Sequence, residues 1–214
     1  MGENPEEASP FVGEPTDTRG RIMQATFETI QENGFAGLSI QRIASRADLS
    51  KSSVYHFFED KDDLLLAFLD EMLGQFGGPL EGLEDDAAPL DVLWAYIDFG
   101  LYGVTDESIP PVERMEIQPG RPYVELRSQG TYSEEYRDRF TEMDGLMRDR
   151  LTNVLERGIR EGTFRDVDPE RTAEFLLTVL LGGLFRRATA DDVDIDAVRR
   201  EVEAIIEVRV LNES

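Results

Sequence analysis

The residues best suited to chemistry lie in the stretch SKSSVYHF, which runs from Ser50 to Phe57. Its lysine, hydroxyl and imidazole groups could donate hydrogen bonds to the base edges and phosphates of a nucleic-acid duplex. Catalysis is a poorer fit, because His56 is the only histidine and the chain has no cysteine. A Ser–His pair or a soft-metal site would lack partners, although carboxylates alone could bind a hard cation. We expect no enzymatic activity, no metal site and no cofactor.

Two short helices must position this stretch. The first is predicted to begin after the N-cap Ser39 and to stop at Asp48. Its apolar side chains form one stripe: Ile40, Ile43, Ala44 and Ala47. The second helix begins after another cap, Ser50, and its predicted buried side chains are Val54, Phe57 and Phe58. Two such helices joined by a short turn form a helix-turn-helix. Because this turn often needs a positive φ, we predict a left-handed Asp48.

From about Thr18 to Met72, the chain resembles the tetracycline-repressor-type (TetR) transcriptional regulators. The resemblance rests on an ordered series: Ile22, Ala25, Gly34-Phe35, Ser39-Ile40, Ile43-Ala44, Ala47, Leu49-Ser50-Lys51, Val54-Tyr55, Phe58, Lys61 and Leu64-Leu65. Asp48 stands where Gly is common, and Ser52-Ser53 where Gly-Thr is common. The resemblance implies an all-α homodimer of about nine helices. It has an N-terminal three-helix helix-turn-helix domain and a C-terminal helical domain for ligand binding and dimerisation.

In a helix-turn-helix, the first residues of the second helix face base edges in the major groove. The predicted DNA-binding residues are Ser39, Gln41, Arg42, Ser50, Lys51, Ser52, Ser53, Tyr55, His56 and Lys61. Lys51 can reach guanine acceptors, and Tyr55 is expected to touch phosphate. Arg42, together with Arg19 and Arg21, is a weaker candidate, and each of these arginines could equally be solvated. We expect a repressor that binds a palindromic operator in double-stranded DNA and is released by a small molecule. An activator of the same architecture is an alternative.

The charge distribution is unusual for a DNA-binding chain. The 214 residues include 45 acidic and 22 basic residues, and the net charge is −23. Residues 19–58 nevertheless hold five basic against three acidic residues, a local charge of +2. A basic head on an acidic body is expected when only the head meets phosphate. The overall charge keeps a second hypothesis open, namely a ligand-binding or scaffolding dimer without useful DNA affinity.

Composition also bears on the cellular setting. Lys51 and Lys61 are the only lysines, and arginine supplies the other positive charges, as in proteins of extreme halophiles. An acidic protein of a mesophile is the alternative. The absence of cysteine, of a signal peptide and of a long apolar run predicts a cytoplasmic protein with no membrane contact. Residues 1–17 are acidic and contain proline, so we predict a disordered tail.

The predicted domains are residues 18–61 for DNA binding and residues 62–214 for ligand binding and dimerisation. A first helix is predicted from Thr18 to Asn33, ended by Gly34 in a Schellman motif. Asp60 and Asp63 should cap a fourth helix, and the segment 74–89 should contain the boundary. Further helices are predicted from Leu90, from about Ser133 to Gly162, after Asp168-Pro169, and from Asp194 or Asp196.

Two sets of apolar residues are candidates for the remaining functions. The predicted ligand pocket comprises Trp94, Phe99, Tyr102, Met115, Phe140, Met143 and Met147, although such residues often form ordinary core. The predicted dimer interface comprises Leu177, Leu180, Leu181, Leu184, Val202 and Ile205. The helix after Asp168 is too apolar for one buried face, so it lies at the centre of the monomer or against a second copy. We favour an antiparallel pair of the last two helices, doubled into a four-helix interface.

Overall fold

The computed structural model describes residues 15, 17–77, 87–102 and 120–212. Within these residues the chain forms nine α-helices and no strand, which confirms the predicted all-α fold. The helices are α1 Thr18–Asn33, α2 Ile40–Arg46, α3 Lys51–Tyr55, α4 Lys61–Gly77, α5 Pro89–Tyr102, α6 Gly120–Gln129, α7 Glu134–Glu161, α8 Pro169–Thr189 and α9 Ile195–Arg209. A 3₁₀ turn, Phe35–Gly37, follows α1.

The chain divides into two compact units. The described part of the first unit contains α1 to α4, α6 and the start of α7 as far as Phe140. The second contains α5, the rest of α7, α8 and α9. This division groups residues 62–76 with the helix-turn-helix, whereas the sequence assigned them to the larger domain. The functional boundary stays a prediction, and most of the predicted tail and residues 78–86 lie outside the described residues.

Helix α1 has the predicted bounds, but its two ends differ from the prediction. Asp17 belongs to the N-cap and not to a disordered tail, since its side chain accepts the Gly20 N–H at 2.7 Å. Gly34 ends the helix with φ 70°, and its N–H donates to the Ile30 carbonyl at 2.8 Å. The Phe35 N–H donates to the Glu125 carboxylate on α6 instead of completing a Schellman pair. A tertiary contact has therefore replaced the local one.

The predicted capping of α4 is confirmed. Asp60 accepts the Asp63 N–H at 2.9 Å, and Asp63 accepts the Glu59 N–H at 2.8 Å. The first bond satisfies a donor that the first turn of a helix leaves free, and the second fixes the backbone just before the helix. The predicted apolar stripe is also buried: Leu64, Leu65, Phe68, Leu69 and Met72. Helix α4 continues to Gly77, into the segment where the sequence placed the boundary.

The second unit is built on the apolar helix α5, which packs against α8 and α9. Gly100 gives α8 a close approach, because a Cβ there would lie 3.1 Å from the Cβ of Leu180. Helix α8 begins as predicted, with Asp168 accepting the Arg171 N–H at 3.0 Å. Asp194, not Asp196, caps α9 by accepting the Ala197 N–H at 2.8 Å.

The ends of α7 and α9 are tied together by contacts that the sequence did not suggest. Phe164 forms an isolated antiparallel bridge with Leu211, and the Arg165 N–H donates to the Val210 carbonyl at 2.7 Å. The Asn212 side chain donates to the Gly162 carbonyl at 2.7 Å. The Phe164 ring is 2% exposed and lies against Gly158 of α7. A Cβ at residue 158 would overlap that ring.

We predict that Gly158→Ala destabilises the protein by about 1–3 kcal/mol, because the added methyl group overpacks the Phe164 contact. Gly145→Ala on the same helix is the matched control, since its Cβ would meet nothing closer than 3.8 Å. The control variant should be more stable than the unmodified protein by up to about 1 kcal/mol, because Ala has a higher helix propensity than Gly. Urea unfolding in concentrated KCl measures both, and equal stability of the two variants would contradict this packing.

Candidate nucleic-acid interface

The turn between α2 and α3 has the predicted geometry. Asp48 has φ 52°, which places it in the left-handed region and confirms the helix break. The Leu49 N–H donates back to the Ala44 carbonyl at 2.8 Å, so the chain reverses tightly after α2. The predicted apolar stripe of α2 is buried, as is Val54 of α3. The helix-turn-helix is therefore held by a left-handed residue and an apolar contact behind it.

Each helix of the motif begins at a serine cap, as predicted. Ser39 accepts the Arg42 N–H at 3.3 Å, and Ser50 accepts the Ser53 N–H at 3.1 Å. The Ser50 hydroxyl also lies 2.7 Å from that of Ser52 and 2.8 Å from that of Ser53. Three hydroxyl groups thus converge at the start of α3. They offer a duplex donors and acceptors whose positions are fixed by one another.

The end of α3 requires one correction. Phe58 is buried as predicted, but Phe57 is 43% exposed. The helix ends at Tyr55, so the helical period used to place Phe57 no longer applies two residues later. Its ring meets His56 edge-on, with the ring centroids 5.4 Å apart. An aromatic ring therefore joins the exposed polar surface that follows α3.

The predicted DNA-binding residues lie on the surface of the first unit. Eight of them are exposed: Ser39, Gln41, Arg42, Ser50, Lys51, Ser52, Tyr55 and His56. Ser53 and Lys61 are half-buried, and the Lys61 ammonium lies over the Phe35 ring, 5.1 Å from its centroid. All ten side chains are therefore at least partly accessible to solvent. Contact with DNA stays a prediction.

Most cations of this region are already engaged within the protein. Arg19 pairs with Glu71, and Arg46 pairs with Glu28 and Glu32. Arg21 donates to the Ala47 and Asp48 carbonyls at the end of α2, and Arg42 donates to the Gly37 carbonyl. In the described part of the chain, Lys51 makes no such contact. The charge available for phosphate is therefore smaller than the local sum of +2 suggests.

The Arg46 pair illustrates this internal neutralisation. The hydrogen bond from Arg46 lowers the pKa of Glu32 below its ordinary value. The same bond, together with Glu28, raises the pKa of Arg46. The three groups lie on α1 and α2, so the pairing joins the two helices and keeps Arg46 from acting as a free phosphate contact.

The predicted ligand-pocket residues are spread over the two units. Trp94 and Tyr102 contact α9, whereas Phe99 is buried roughly 140° round α5 from Trp94. Phe140 packs against Tyr123 in the first unit. In the second unit, Met143 is buried and Met147 is half-buried. Met115 lies outside the described residues. The pocket stays a prediction.

A cavity of about 360 Å³ lies elsewhere in the second unit, between the start of α8 and the end of α9. Its lining residues include Asp168, Arg171, Phe175, Ile205 and Arg209. This cavity was not predictable from the sequence, because its walls come from two helix ends that are distant in the chain. None of the predicted pocket residues lines it.

Polar and aromatic side chains of α5 and α9 form a connected cluster, which we call the α5–α9 seam. Its members are Trp94, Asp98 and Tyr102 on α5 and Asp196, Arg199 and Glu203 on α9. The Arg199 guanidinium lies 4.3 Å from the centroid of the Trp94 ring. It donates to Asp98 at 3.1 Å and to Glu203 at 2.9 Å. The Tyr102 hydroxyl donates to Asp196 at 2.7 Å. Burial, that hydrogen bond and the nearby carboxylates raise the pKa of Tyr102 to about 12.

The predicted dimer interface needs correction. Leu177, Leu180 and Val202 are 6%, 4% and 2% exposed within the single chain, so they have no surface to give a second copy. Leu181, Leu184 and Ile205 are half-buried. The exposed apolar side chains on α8 and α9 are instead Phe175, Phe185 and Val208. Gly182 lies on α8 with open space where a Cβ would stand. Periodicity identified the apolar helix but not which side the chain itself covers.

The fold and the capped, left-handed turn define a helix-turn-helix protein. Two family descriptions match this chain: bacterial regulatory proteins of the tetR family over residues 22–68, and the C-terminal part of BetI-type transcriptional repressors over residues 120–210. A solved TetR transcription regulator from Haloarcula marismortui is 32% identical. The match covers 92% of this chain and 100% of that one, with a TM-score of 0.78. The chain belongs to the TetR family.

Other relatives match less of the chain or share less sequence. The regulator RutR of Escherichia coli strain K12 is 32% identical over 104 residues, which is 47% of this chain and 48% of RutR. The chain thus spans about half the length of this curated relative. A regulator from Saccharomonospora viridis, solved in complex with choline, is 19% identical with a TM-score of 0.77. That match covers 93% of this chain and 100% of that one, and it shows the fold alone.

The family and its relatives are transcriptional regulators and not enzymes, in agreement with the expectation from the sequence. Among the described residues, no helix combines the length and apolar character needed to cross a membrane.

At the left-handed Asp48, we expect the stability ranking of Ala and Gly variants to be the reverse of the ranking within a helix. We predict that Asp48→Gly is more stable than Asp48→Ala by about 1 kcal/mol, because a Cβ is strained at positive φ. Ser45 of α2 provides the control position. At that position the Ala variant should be more stable than the Gly variant by about 1 kcal/mol, because Ala favours a helix. Chemical unfolding of the four variants measures both differences, and the same ranking at both positions would refute the left-handed turn.

Proposed function

We propose that this protein is a sequence-specific transcriptional repressor that binds a near-palindromic operator as a homodimer and is released by a small-molecule effector. The observation that carries the proposal is the exposed start of α3. Lys51 stands there without an internal partner, beside the three hydrogen-bonded hydroxyl groups of Ser50, Ser52 and Ser53. In this class of motif those positions meet base edges in the major groove. The matches to regulatory families support the same function.

In a homodimer, the second protomer would bind the second half-site of the operator. A symmetric dimer would place two copies of α3 about one DNA turn apart, or ~34–36 Å. We assign its interface to the outer face of α8 and α9, marked by Phe175, Phe185 and Val208. Gly182 lies on the same helix and would allow a partner helix to approach closely. This face replaces the buried leucines that the sequence suggested.

An effector would act by binding the conformation that does not fit DNA more tightly than the one that does. The choline complex of the Saccharomonospora viridis protein supports a small-molecule effector in this fold. A cation would suit the acidic second unit. The effector's site stays a prediction from the sequence, and one of its candidate residues, Met115, lies outside the described residues.

We further propose that the protein works at molar salt. Its net charge of −23 and its two lysines support this setting, and so does its likeness to a Haloarcula marismortui regulator. At 1 M salt the Debye length is about 3 Å, so the acidic surface would repel DNA only at short range. Counterion release would contribute less to binding than at low salt. Base contacts and dimer geometry would then supply most of the affinity.

We predict that Lys51→Gln weakens specific DNA binding by about 1–3 kcal/mol, or roughly 5- to 150-fold, because it removes a base-edge contact. Fluorescence anisotropy with duplex DNA from upstream of the gene, and with a scrambled duplex, measures the change. Arg160→Gln is the matched control, since it removes an exposed positive charge from α7. The control should bind within about twofold of the unmodified protein.

Two other results would have distinct meanings. Equal binding by Lys51→Gln and the control would contradict the assignment of α3 as the recognition helix. No preference for any duplex recovered by selection from the genome would favour the non-DNA alternative.

We also predict that Phe185→Glu converts the dimer to a folded monomer, because it places a charge in the apolar interface. Leu146→Glu on α7 is the matched control, since Leu146 and Phe185 are both 54% exposed. Sedimentation velocity in concentrated KCl should report a monomer for the first variant and a dimer for the second. A dimeric Phe185→Glu of normal stability would refute this interface.

A further inference from the structure

Two arginines line the cavity between the start of α8 and the end of α9, one from each helix. Arg171 lies in the first turn of α8, and Arg209 is the last residue of α9. Both side chains are exposed. In the part of the chain that the structure describes, neither guanidinium forms an ion pair or a hydrogen bond. Two guanidinium groups therefore border one cavity with N–H donors left for another partner.

The chain's own carboxylates do not neutralise this pair. Asp168 is the acidic residue of the cavity lining, and its side chain accepts the backbone N–H of Arg171 at 3.0 Å. Glu170 and Glu174 border a second cavity together with Arg171, but Glu174 contacts Arg148, at 3.8 Å. The lining of the first cavity thus carries two positive charges against one negative charge.

The remaining surface of the cavity is largely apolar. Phe175 follows Arg171 by one turn of α8, and Ile205 precedes Arg209 by one turn of α9. Residues at this spacing share one face of a helix, so each helix gives the cavity one apolar and one cationic side chain. A volume of about 360 Å³ is near the lower end of the range for small-molecule sites. The lining therefore matches a small molecule with an anionic end and an apolar body.

We propose that this cavity binds a small organic acid, whose carboxylate is held by Arg171 and Arg209 and whose apolar body lies against Phe175 and Ile205. A guanidinium presents paired N–H donors that match the two oxygens of a carboxylate. In molar salt the Debye length is about 3 Å, so distant carboxylates of this acidic chain repel the ligand little. The apolar contact does not depend on charge, and it favours an organic acid over chloride.

This site differs from the effector pocket predicted from the sequence, since none of the predicted pocket residues lines it. Phe175 also belongs to the proposed dimer interface, so the occupied cavity would border the second protomer. A consequence for dimerisation therefore rests on the proposed function, whereas binding of the acid does not. The competing occupant is a carboxylate of the second protomer, which would make the two arginines necessary for the dimer.

The experiment follows the fluorine NMR signal of para-fluorophenylpropionate as full-length protein is added in concentrated KCl. We expect saturable binding of this acid. Its amide has nearly the same shape without the charge, and its Kd should be at least about tenfold higher, because it cannot form charge-assisted hydrogen bonds. Acetate has no apolar body and should not displace the acid at equal concentration. This comparison of ligands needs no variant, so it does not depend on the folding of one.

Substitutions then locate the site. Arg171→Gln and Arg209→Gln should each raise the Kd of the acid at least about fivefold, because each removes one charged donor group. The double variant should lose saturable binding. Arg160→Gln is the matched control, since it makes the same charge change at an exposed position of α7 outside the cavity. Its Kd should stay within about twofold of that of the unmodified protein.

Three results would overturn the site. Equal affinity for the acid and its amide would exclude recognition of the carboxylate. Unchanged binding by the folded double variant would place the acid elsewhere on the protein. Absence of saturable binding to the unmodified protein would also reject the proposal, and loss of the dimer in the double variant would then assign the arginines to the second protomer. These measurements use no DNA, so their failure would leave the proposed regulator intact.

Discussion

The left-handed backbone at Asp48 is the constraint on which the DNA-binding surface depends. It ends α2 and lets Leu49 hydrogen-bond back to Ala44. The chain can then start α3 at Ser50 with Val54 turned into the core. Without this break, the two short helices would run on as one, and the start of α3 would have no exposed N-terminal end. The function assigned to Lys51 and the neighbouring hydroxyl groups follows from that local geometry.

A second constraint is the scarcity of free positive charge. The head has a local excess of basic residues, but internal pairs with carboxylates and carbonyls occupy most of the arginines. Such pairs stabilise the head and limit what it can offer to phosphate. An acidic chain built this way must gain specificity from a few base contacts and from the spacing of two heads. The same preference for internal pairing appears in the second unit, where Arg199 lies over the Trp94 ring and pairs with Asp98.

Local signals in the sequence predicted much of the fold. Caps at Ser39, Ser50, Asp60 and Asp168 lie where the side-chain types required them, because a helix start is settled by a few neighbouring residues. The left-handed Asp48 was predictable for the same reason. The all-α class followed from periodicity. These features need no knowledge of distant contacts.

Features that depend on distant contacts were harder to predict. The sequence gives no sign that Glu125 would take the Phe35 N–H or that Phe164 would pair with Leu211. It marked Leu180 as apolar but could not tell the chain's own core from an interface. The candidate pocket stays a prediction for a similar reason, since aromatic residues on one helix point in different directions. Helical period describes one element, whereas burial depends on all of its neighbours.

The salt dependence of specific DNA binding tests the central claim most directly, namely that a head whose arginines are mostly engaged within the protein reads DNA with few phosphate contacts. Binding would be measured by anisotropy from ~0.2 M to ~2 M KCl. If Lys51 at the base edges and Lys61 at phosphate are the main cations that each protomer brings to DNA, the slope of log K against log salt should be no steeper than about −4. A slope of roughly −8 or steeper would contradict the account, because it would require many more free cations than the head offers.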